Sequence, residues 1–539
     1  MFKYSDINAQ SLSYGTKNSM VAHQPVVKVI PEPFETILGN DYCVLPKNID
    51  ILVDSSFYDT TNEIELLQSL LEKIPGTYAE ILFDKTYLLN NQFRVLIIKD
   101  TLSINPEEYT LDIDKKGITI SASRPSGLFY AVQTFRQIAF ANKTRVGTVE
   151  LPHVSIHDRP RFPFRALMLD PARHFLTVPE LESYIDAMAM YKYNRLHLHL
   201  TDDQGWRVEI NSLPQLTQIG SVRSETQGDG KVHKGYYTQE QLKYVVQYAA
   251  DRHIEIIPEV DIPGHSIAAL AAFPRLSCNQ KLLKVATTLG ASKELLCAGN
   301  QQVYDFFEII IEELAPIFPS KHFHIGGDEV SLDSWHKCQR CQRVIKDKKL
   351  KDEHELMSYF LNRIDSILIR YGKEPMFWYE LNIPQYPANS TMYLWRLNTA
   401  DEVIKKACNN GYKLVCTPCE HACFNYPQWV GDIPATNWMP VLSLQQSYDF
   451  EPTRNLPAGH SHCIIGIEAC VWGEYIPNIE RALYMTWPRA LAMSEAGWTE
   501  KQNRNWNNFK DKLNLHLDYL LRHGINYRVP AELYKENEY

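Results

Sequence analysis

The chain has 539 residues, and its 64 acidic and 55 basic residues give a formal charge of -9. This length exceeds one ordinary domain, so two domains are expected, and a hydrophobic fraction of 45% is enough for a large core. Because there is no excess of basic residues to neutralise phosphates, nucleic acid is not expected as a partner.

The amino-terminal segment shows no sign of a leader peptide. Its first thirty residues lack an apolar stretch behind a basic start, and nowhere do eighteen apolar residues follow one another. No membrane span is therefore predicted, and on this evidence the compartment stays open.

The first part of the chain mixes short strand patterns with two helical ones. The strand patterns are Ile51–Val53, Val95–Ile98, Tyr109–Ile113 and Ile118–Ala122, and the helical patterns are Glu63–Lys73 and Gly127–Ala141. Pro152, Pro160 and Pro163 then mark a boundary, since each proline fixes φ and disfavours helix in the residue before it. We predict a small α+β domain over residues 1–155 and a second domain over residues 156–539.

The second domain alternates short apolar runs with longer amphipathic segments. The eight predicted strands are Phe164–Asp170, Arg195–Asp202, Ile254–Asp261, His322–Glu329, Pro375–Glu380, Thr391–Trp395, Lys413–Cys416 and Cys463–Trp472. The predicted helices include Pro179–Tyr191, Gln239–Arg252, Val303–Ile317 and Glu353–Arg370. The alternation favours an α/β fold, a (β/α)₈ TIM barrel, with a doubly wound open sheet as the alternative.

Polar and aromatic side chains that could take part in catalysis or ligand binding lie at or just beyond the ends of these strands. They are Asp170, Asp202, Asp203, Asp261, His265, Asp328, Glu329, Glu380, Trp395, Trp472 and Glu474. In a barrel the carboxyl ends of the strands share one rim, where catalysis takes place. The pattern therefore predicts an active site at that rim.

The string His322-Phe-His-Ile-Gly-Gly-Asp-Glu329 holds two adjacent carboxylates after two glycines. Glycines there would let a ligand approach the backbone. Adjacent residues of a strand point in opposite directions, so Asp328 and Glu329 are expected to have separate roles and not to share one proton. The alternative is a strand-end turn with two solvated acids.

His197 and His199 share one face of their predicted strand, and acids follow them. A His-x-His pair at a barrel rim also suits a metal-dependent TIM-barrel hydrolase, which is a rival hypothesis. A hydrogen-bonded core histidine is the simpler interpretation. Farther on, Asp261 and a Pro-Gly turn lead to His265, which can tune a neighbouring acid.

Tryptophans are the third signal at the rim. Trp378, Trp395 and Trp472 stand at the ends of three predicted strands, and Glu474 follows the last of them. Indole faces stack on the apolar C–H faces of sugars, while carboxylates bind hydroxyls. This combination favours a sugar pocket, although each tryptophan alone could belong to the core.

Eleven cysteines are present, an odd number that leaves at least one unpaired or intermolecular. Cys338 and Cys341 have a C-x-x-C spacing, but a zinc site would need a second pair, and the sequence shows none at a suitable spacing. A loop disulfide or plain thiols are favoured, and neither a metal nor a cofactor is expected.

Taken together, these motifs closely resemble the family 20 glycoside hydrolases, the β-N-acetylhexosaminidases. The matching strings also include Ser126–Thr134, Phe164–Asp170 with Ala172–Phe175, Trp472-Gly-Glu474 and Pro488–Glu495. The resemblance implies an exo-acting, retaining enzyme that removes terminal β-linked GlcNAc or GalNAc from glycans. It also implies substrate assistance, in which the 2-acetamido oxygen attacks C1 to form an oxazolinium intermediate.

The resemblance also assigns roles to residues. Glu329 is the general acid and base, Asp328 orients the acetamide, and Asp202 with His265 relays to the acid. Arg165 is expected to bind the O3 and O4 hydroxyls. The remaining expected contacts to the sugar are Trp378, Trp395, Trp472 and Glu474.

Two positions depart from the family pattern. Where members carry Tyr-x-Asp, this chain has Cys423-Phe-Asn425. Either another hydroxyl, from Tyr393 or Tyr426, contacts the acetamide oxygen, or the intermediate is held less well. Asn425 in place of aspartate removes a negative charge near O4 and O6. The hypothesis that follows is a pocket tolerant of an anionic 6-substituent such as sulfate.

A third reading is a catalytically silent carbohydrate-binding protein that lost turnover through the change at Cys423. Against it, Asp328, Glu329, Asp202 and His265 are all present. For the compartment, we expect an extracytoplasmic location, periplasmic or secreted, with a removed signal peptide, and a cytoplasmic one as the alternative. The oligomeric state stays open.

Overall fold

A computed structural model describes residues 25–57, 61–83, 93–432, 438–454 and 461–534. Residues 1–24, over which no leader peptide is predicted, lie outside these ranges. Among the described helices, none combines the length and apolar character needed to cross a bilayer.

The first domain is a seven-stranded mixed sheet with two main helices. In spatial order the strands are Glu35–Val44, Glu150–Asp158, Tyr109–Asp114, Gly117–Ala122, Arg94–Lys99, Asn48–Val53 and Tyr78–Leu82. The helices are Thr61–Glu72 and Pro125–Ala141, and the second begins with a proline whose fixed φ suits a helix start. The four predicted strand patterns and both helices are present. The strand Glu150–Asp158 runs a few residues beyond the predicted boundary at 155.

The second domain is a closed barrel of eight parallel strands, as predicted, and the open-sheet alternative is wrong. In chain order its strands are Phe164–Leu169, Arg195–His199, Glu255–Glu259, His322–His324, Glu374–Trp378, Thr391–Leu394, Lys413–Cys416 and Ile464–Val471. The last strand pairs with the first, which closes the barrel. We number these barrel strands one to eight.

Helices surround the barrel. The longer ones are Val178–Met190, Gln239–Ala250, Gln301–Leu314, Gln339–Lys348, Glu353–Arg370, Ala400–Asn410, Ile479–Thr486, Arg489–Trp498 and Trp506–Arg522. Short helices of four to six residues are Gln215–Gln218, Ile267–Ala272, Asp333–His336, Cys419–Ala422 and Leu444–Tyr448. Thr238 and Gln241 form the predicted capping box at one of the helix starts.

The loop after strand two carries further short elements. Two small hairpins pair Thr201–Asp202 with Gly205–Trp206 and Val222–Arg223 with His233–Lys234. The strands themselves are short and buried, so the side chains that follow them are brought to one rim.

The base of the barrel packs against the first domain through a buried polar cluster. Asp158, in the last strand of the first sheet, accepts hydrogen bonds from Lys192 Nζ at 2.7 Å and Trp498 Nε1 at 2.8 Å. These groups are fully buried, and their hydrogen bonds satisfy polar atoms that the contact between the two domains removes from water.

Candidate active site

A cavity of about 550 Å³ opens at the carboxyl rim of the barrel. Ten of the eleven predicted site residues line it: Asp202, His265, Asp328, Glu329, Trp378, Trp395, Cys423, Asn425, Trp472 and Glu474. The eleventh, Arg165, lies elsewhere. The fold therefore brings these ten residues together at one rim.

The backbone is strained at two of these residues. Glu329 has φ of 50° and His265 has φ of 45°, in the left-handed region that side chains other than glycine rarely adopt. Such strain costs on the order of 1–3 kcal/mol and persists where surrounding structure enforces it, typically at functional sites. The strain turns both side chains toward the cavity.

The two glycines before the acids make room for a buried side chain of the protein, not for a ligand. Gly326 and Gly327 have φ of 65° and 91°, and Gly327 N–H donates to Asp261 Oδ1 at 3.1 Å. A methyl group on Gly326 would overlap the Asp261 carboxylate. The glycines let the chain wrap around a buried carboxylate and present the two acids.

Asp328 and Glu329 converge instead of diverging. Barrel strand four ends at His324, so strand alternation does not reach the acids, and the prediction of opposite directions was wrong. His265 Nε2 lies 3.4 Å from Glu329 Oε2 and 3.9 Å from Asp328 Oδ2. One imidazole nitrogen therefore faces both carboxylates.

Behind His265, Asp202 gathers three cationic partners. His265 Nδ1 lies 3.2 Å from Asp202 Oδ1, and Oδ2 receives Arg173 at 2.7 Å and His199 Nε2 at 2.8 Å. Burial would raise the pKa of Asp202, but Arg173 and His265 outweigh it and hold the pKa far below its usual value. Asp202 is thus a permanent anion.

The two acids and the imidazole differ in proton affinity. Burial raises the pKa of Asp328 to about 6, with Glu259, Glu329 and Glu380 adding to the rise against His265. The hydrogen bond from His265 lowers the pKa of Glu329. Burial would lower the pKa of His265, but Asp202 and Asp261 raise it well above its usual value. The resting site therefore holds a His265 imidazolium against a Glu329 carboxylate.

The His-x-His pair lies in a buried layer beneath the cavity. His197 Nδ1 lies 3.0 Å from Glu468 Oε1 and its Nε2 lies 3.1 Å from Glu259 Oε2, while His199 contacts Glu259 and Asp202. Burial would lower the pKa of His197, but Glu468 and Glu259 raise it to about 9. Both nitrogens of each histidine thus lie against buried carboxylates, which is the arrangement that the core-histidine interpretation expects.

Three tryptophans form the apolar wall of the cavity. Trp378 and Trp472 have ring centroids 5.4 Å apart, and the Trp378 indole donates to Glu259 Oε1 at 2.8 Å. Trp395 is anchored through its indole N–H to Tyr379 O at 2.9 Å and is covered by Arg396 at 3.8 Å. Each ring is held in place before any ligand arrives.

The cavity wall that follows strand seven carries a disulfide where the sequence suggested a free cysteine. Cys423 forms a disulfide with Cys419, so no S–H group points to a ligand. Of the two hydroxyls considered as replacements, Tyr393 lies in the barrel core, 3.4 Å from Glu468 Oε2, whereas Tyr426 lines the cavity. Tyr426 is therefore the candidate donor.

Arg165 does not line the cavity, so the prediction that it binds sugar hydroxyls is wrong. It is the second residue of strand one, at the base of the barrel, where it binds Glu107 at 2.9 Å and stacks on Trp498. Arg173, in the loop after that strand, lines the cavity and bonds Asp170 at 2.8 Å. The expectation that site residues follow the carboxyl ends of the strands could have identified Arg173, because of the two arginines only Arg173 follows the end of strand one.

Several buried polar atoms of the cavity wall lack a hydrogen-bond partner within the described structure. They are Asp328 Oδ1, Asn425 Oδ1 and Glu474 Oε2. Unpaired buried polar groups are costly, so these atoms are suited to a ligand rich in donors. Hydroxyls and an amide on a compact ring with apolar faces fit both these atoms and the tryptophan wall.

A (β/α)₈ barrel with paired carboxylates and tryptophans around a rim cavity defines a glycoside hydrolase. The model of the glycosyl hydrolase family 20 catalytic domain matches residues 162–501, and that of family 20 domain 2 matches residues 26–159. The chain belongs to glycosyl hydrolase family 20, which confirms the predicted resemblance.

Named relatives agree. A β-hexosaminidase of Akkermansia muciniphila is 38% identical over 80% of this chain and 87% of its own length. The structure of Streptomyces plicatus N-acetyl-β-hexosaminidase in complex with Thio-NAglucal has a TM-score of 0.83 at 30% identity, covering 95% of this chain and 98% of that one. The Vibrio harveyi exo-β-N-acetylglucosaminidase in complex with N-acetylglucosamine gives 0.82 at 30% identity, covering 94% and 79%.

Proposed function

We propose that this hydrolase is an exo-acting, retaining β-N-acetylhexosaminidase that removes terminal β-linked GlcNAc or GalNAc from glycans by substrate assistance. The relatives bound to N-acetylglucosamine and Thio-NAglucal support the sugar class. The observation that supports this proposal most directly is that Asp328 and Glu329 both face one nitrogen of His265.

That convergence bears on the nucleophile. A retaining glycosidase with its own nucleophile needs two carboxyl groups on opposite sides of the scissile bond, about 5–5.5 Å apart. Asp328 and Glu329 both face one nitrogen of His265, and family 20 is among the families in which the substrate's own acetamide replaces the enzyme nucleophile. The 2-acetamido oxygen of the substrate would then supply the nucleophile.

In the first step the acetamide oxygen attacks C1, the bond from C1 to the leaving oxygen breaks, and Glu329 protonates that oxygen. Asp328, as a carboxylate, accepts the acetamide N–H and stabilises the positive charge that grows on the oxazolinium ring. In the second step Glu329 takes a proton from water, the water oxygen attacks C1, and the ring opens to the free sugar with retained configuration.

His265 supplies the proton that Glu329 needs. The Glu329 side chain is 41% exposed in the open cavity. A sugar that covers it removes water and so raises its pKa. The proton then moves from His265 Nε2 to Glu329 Oε2, while the permanent anion Asp202 holds Nδ1–H.

The rest of the cavity fits the sugar ring. Trp378, Trp395 and Trp472 would enclose the acetamide and the ring face, and Tyr426 would donate to the acetamide oxygen. Arg173 and Glu474 would bind ring hydroxyls, since burial raises the pKa of Glu474 and its Oε2 faces the cavity unpaired.

The proposal is tested with nitrophenyl β-glycosides of GlcNAc, GalNAc and glucose. Turnover of the first two and none of glucose is expected, because glucose has no acetamide to act as nucleophile. A thiazoline that mimics the oxazolinium ring should inhibit competitively. Hydrolysis of the glucoside at a comparable rate would overturn substrate assistance.

The two arginines give a matched prediction. Arg173→Met is expected to lower kcat/KM for nitrophenyl GlcNAc by about 10- to 100-fold, because it removes charged hydrogen bonds worth about 1.5–3 kcal/mol. Arg165→Met should leave kcat/KM unchanged and reduce the free energy of unfolding by about 3 kcal/mol, because Glu107 loses its buried partner. Steady-state kinetics and denaturant titration of both variants separate these effects.

We further propose that the cavity tolerates GlcNAc with a 6-O-sulfate. Asn425 is neutral, 3% exposed, and presents an unpaired Oδ1 to the cavity. Arg396 also lines the cavity and is half-exposed, so a positive charge is available near the opening. A carboxylate at position 425 would oppose the sulfate.

Asn425→Asp is expected to lower the ratio of kcat/KM for 6-sulfated over plain nitrophenyl GlcNAc by about tenfold or more, through repulsion between like charges. Asn425→Ala removes the amide without adding charge and is the control. A wild-type enzyme that strongly prefers the neutral sugar, or an equal ratio in both variants, would contradict the proposal.

For the compartment we propose an extracytoplasmic location. The disulfides Cys408–Cys463 and Cys419–Cys423 support it, since disulfides persist in oxidising compartments.

A further inference from the structure

Four cysteine side chains meet at one point outside the active site. Cys278, Cys297, Cys338 and Cys341 have their sulfur atoms within 4.8 Å of one another. Cys297 and Cys341 are fully buried and Cys338 is 7% exposed. The sequence predicted no metal because Cys338 and Cys341 had no second pair, and the fold now brings one from a distant loop.

We propose that these four thiolates bind a structural zinc ion. The sulfur of Cys297 lies 3.7 Å from those of Cys338 and Cys341, and Cys278 lies 3.9 Å from Cys341. Four sulfurs at 2.3 Å from a central zinc ion would lie about 3.8 Å apart in a regular tetrahedron. The cluster has the dimensions of a closed Cys₄ zinc site.

Two disulfides are the rival arrangement. Bonded sulfurs lie about 2.05 Å apart, far closer than these four. In the same chain Cys408 with Cys463 and Cys419 with Cys423 do form disulfides. Three pairs of the clustered sulfurs lie 3.7–3.9 Å apart, all four lie within 4.8 Å of one another, and none is bonded to another, which favours a shared central ion.

The surroundings suit a site of net negative charge. Four thiolates around Zn²⁺ carry a formal charge of about -2. The Arg340 guanidinium lies beside the cluster and donates to Ser277 O at 2.7 Å and Cys278 O at 3.3 Å. It compensates part of the charge and closes the cluster from one side. Four protein ligands leave no open position for water, so the site is structural rather than catalytic.

The zinc ion would join the two loops that carry the catalytic groups. Cys278 and Cys297 belong to the segment after strand three, which also carries His265. Cys338 and Cys341 follow strand four and the Asp328-Glu329 pair. Trp335 Nε1 donates to Leu296 O at 2.9 Å between the same loops. The ion would thus fix the loop that carries the imidazole against the loop that carries both carboxylates.

The test is the metal content and thiol state of the full chain, purified without chelator and without a histidine tag. Close to one zinc ion per chain is expected by mass spectrometry of the metal. Alkylation after unfolding in EDTA without reductant should label all four cysteines. Cobalt substitution should give the visible bands of a tetrahedral thiolate complex.

Cys338→Ser/Cys341→Ser should abolish the bound zinc, while Cys43→Ser, which changes a free cysteine in the first domain, should retain it. Zinc that remains in the double variant would place the metal elsewhere, for example at the histidines. Should the double variant fail to fold, the wild-type measurements still decide. A wild-type chain without zinc, or one in which the four cysteines resist alkylation as disulfides, would overturn the proposal.

Discussion

Glu329→Gln is expected to lower kcat/KM for phenyl β-GlcNAc by on the order of 10²- to 10⁴-fold, the usual contribution of a general acid. Phenol is a poor leaving group and needs the proton. Dinitrophenol leaves without one, so kcat/KM for the dinitrophenyl glycoside should stay close to wild type. Its kcat should still fall, because water attack on the oxazolinium requires Glu329 as base.

The split between the two substrates is what identifies the role. A group that only shaped the cavity would lower kcat/KM for both glycosides alike. Equal losses on phenyl and dinitrophenyl substrates would therefore remove Glu329 from the acid position. The variant is expected to fold like the wild type, because Glu329 is partly exposed and its replacement by glutamine is nearly isosteric. Circular dichroism and thermal unfolding of the variant check this.

The barrel could be predicted because each strand is a short apolar run followed by a polar residue. This pattern is local, and it set all eight strands correctly. The lengths were less accurate. Strand four ends at His324, where Gly326 and Gly327 take positive φ, while the sequence pattern carried it through Glu329. Strand alternation could not apply beyond the glycines, so the directions of Asp328 and Glu329 were missed.

The placement of arginines shows another limit. Arg165 lies within strand one and Arg173 follows it, and the family resemblance alone gave the role to Arg165. Both side chains are buried, but Arg165 lies at the base against Glu107 and Trp498, whereas Arg173 lines the cavity at the rim. The position after the strand indicates Arg173, but its ion pair with Asp202 joins separate segments of the chain, which a local pattern does not contain.

The cysteine cluster is a similar case. The spacing between Cys338 and Cys341 is a recognisable ligand pair, but Cys278 and Cys297 lie far upstream in an irregular loop. Only the adjacency of strands three and four in the barrel brings the two loops together. Metal sites built from separate loops depend on topology and not on local spacing.

Asp328→Asn is expected to lower kcat/KM by on the order of 10²- to 10³-fold with phenyl and dinitrophenyl glycosides alike. The asparagine cannot stabilise the positive charge that develops on the acetamide, whatever the leaving group. Binding of a thiazoline inhibitor should weaken by a similar factor, because the inhibitor resembles the charged intermediate. An unchanged rate would contradict substrate assistance.

The pH profile gives an independent check on the same carboxylate. Burial raises the pKa of Asp328 to about 6, and the reaction needs its anion, so kcat/KM should fall as the pH drops below about 6. This acid limb should disappear in Asp328→Asn. Asp203→Asn is the matched control, since burial also raises the pKa of Asp203 to about 6, but its oxygens accept Ile267 N–H and Ser292 N–H away from the cavity. An acid limb that vanished in Asp203→Asn and persisted in Asp328→Asn would assign the titration to the loop and not to the acetamide partner.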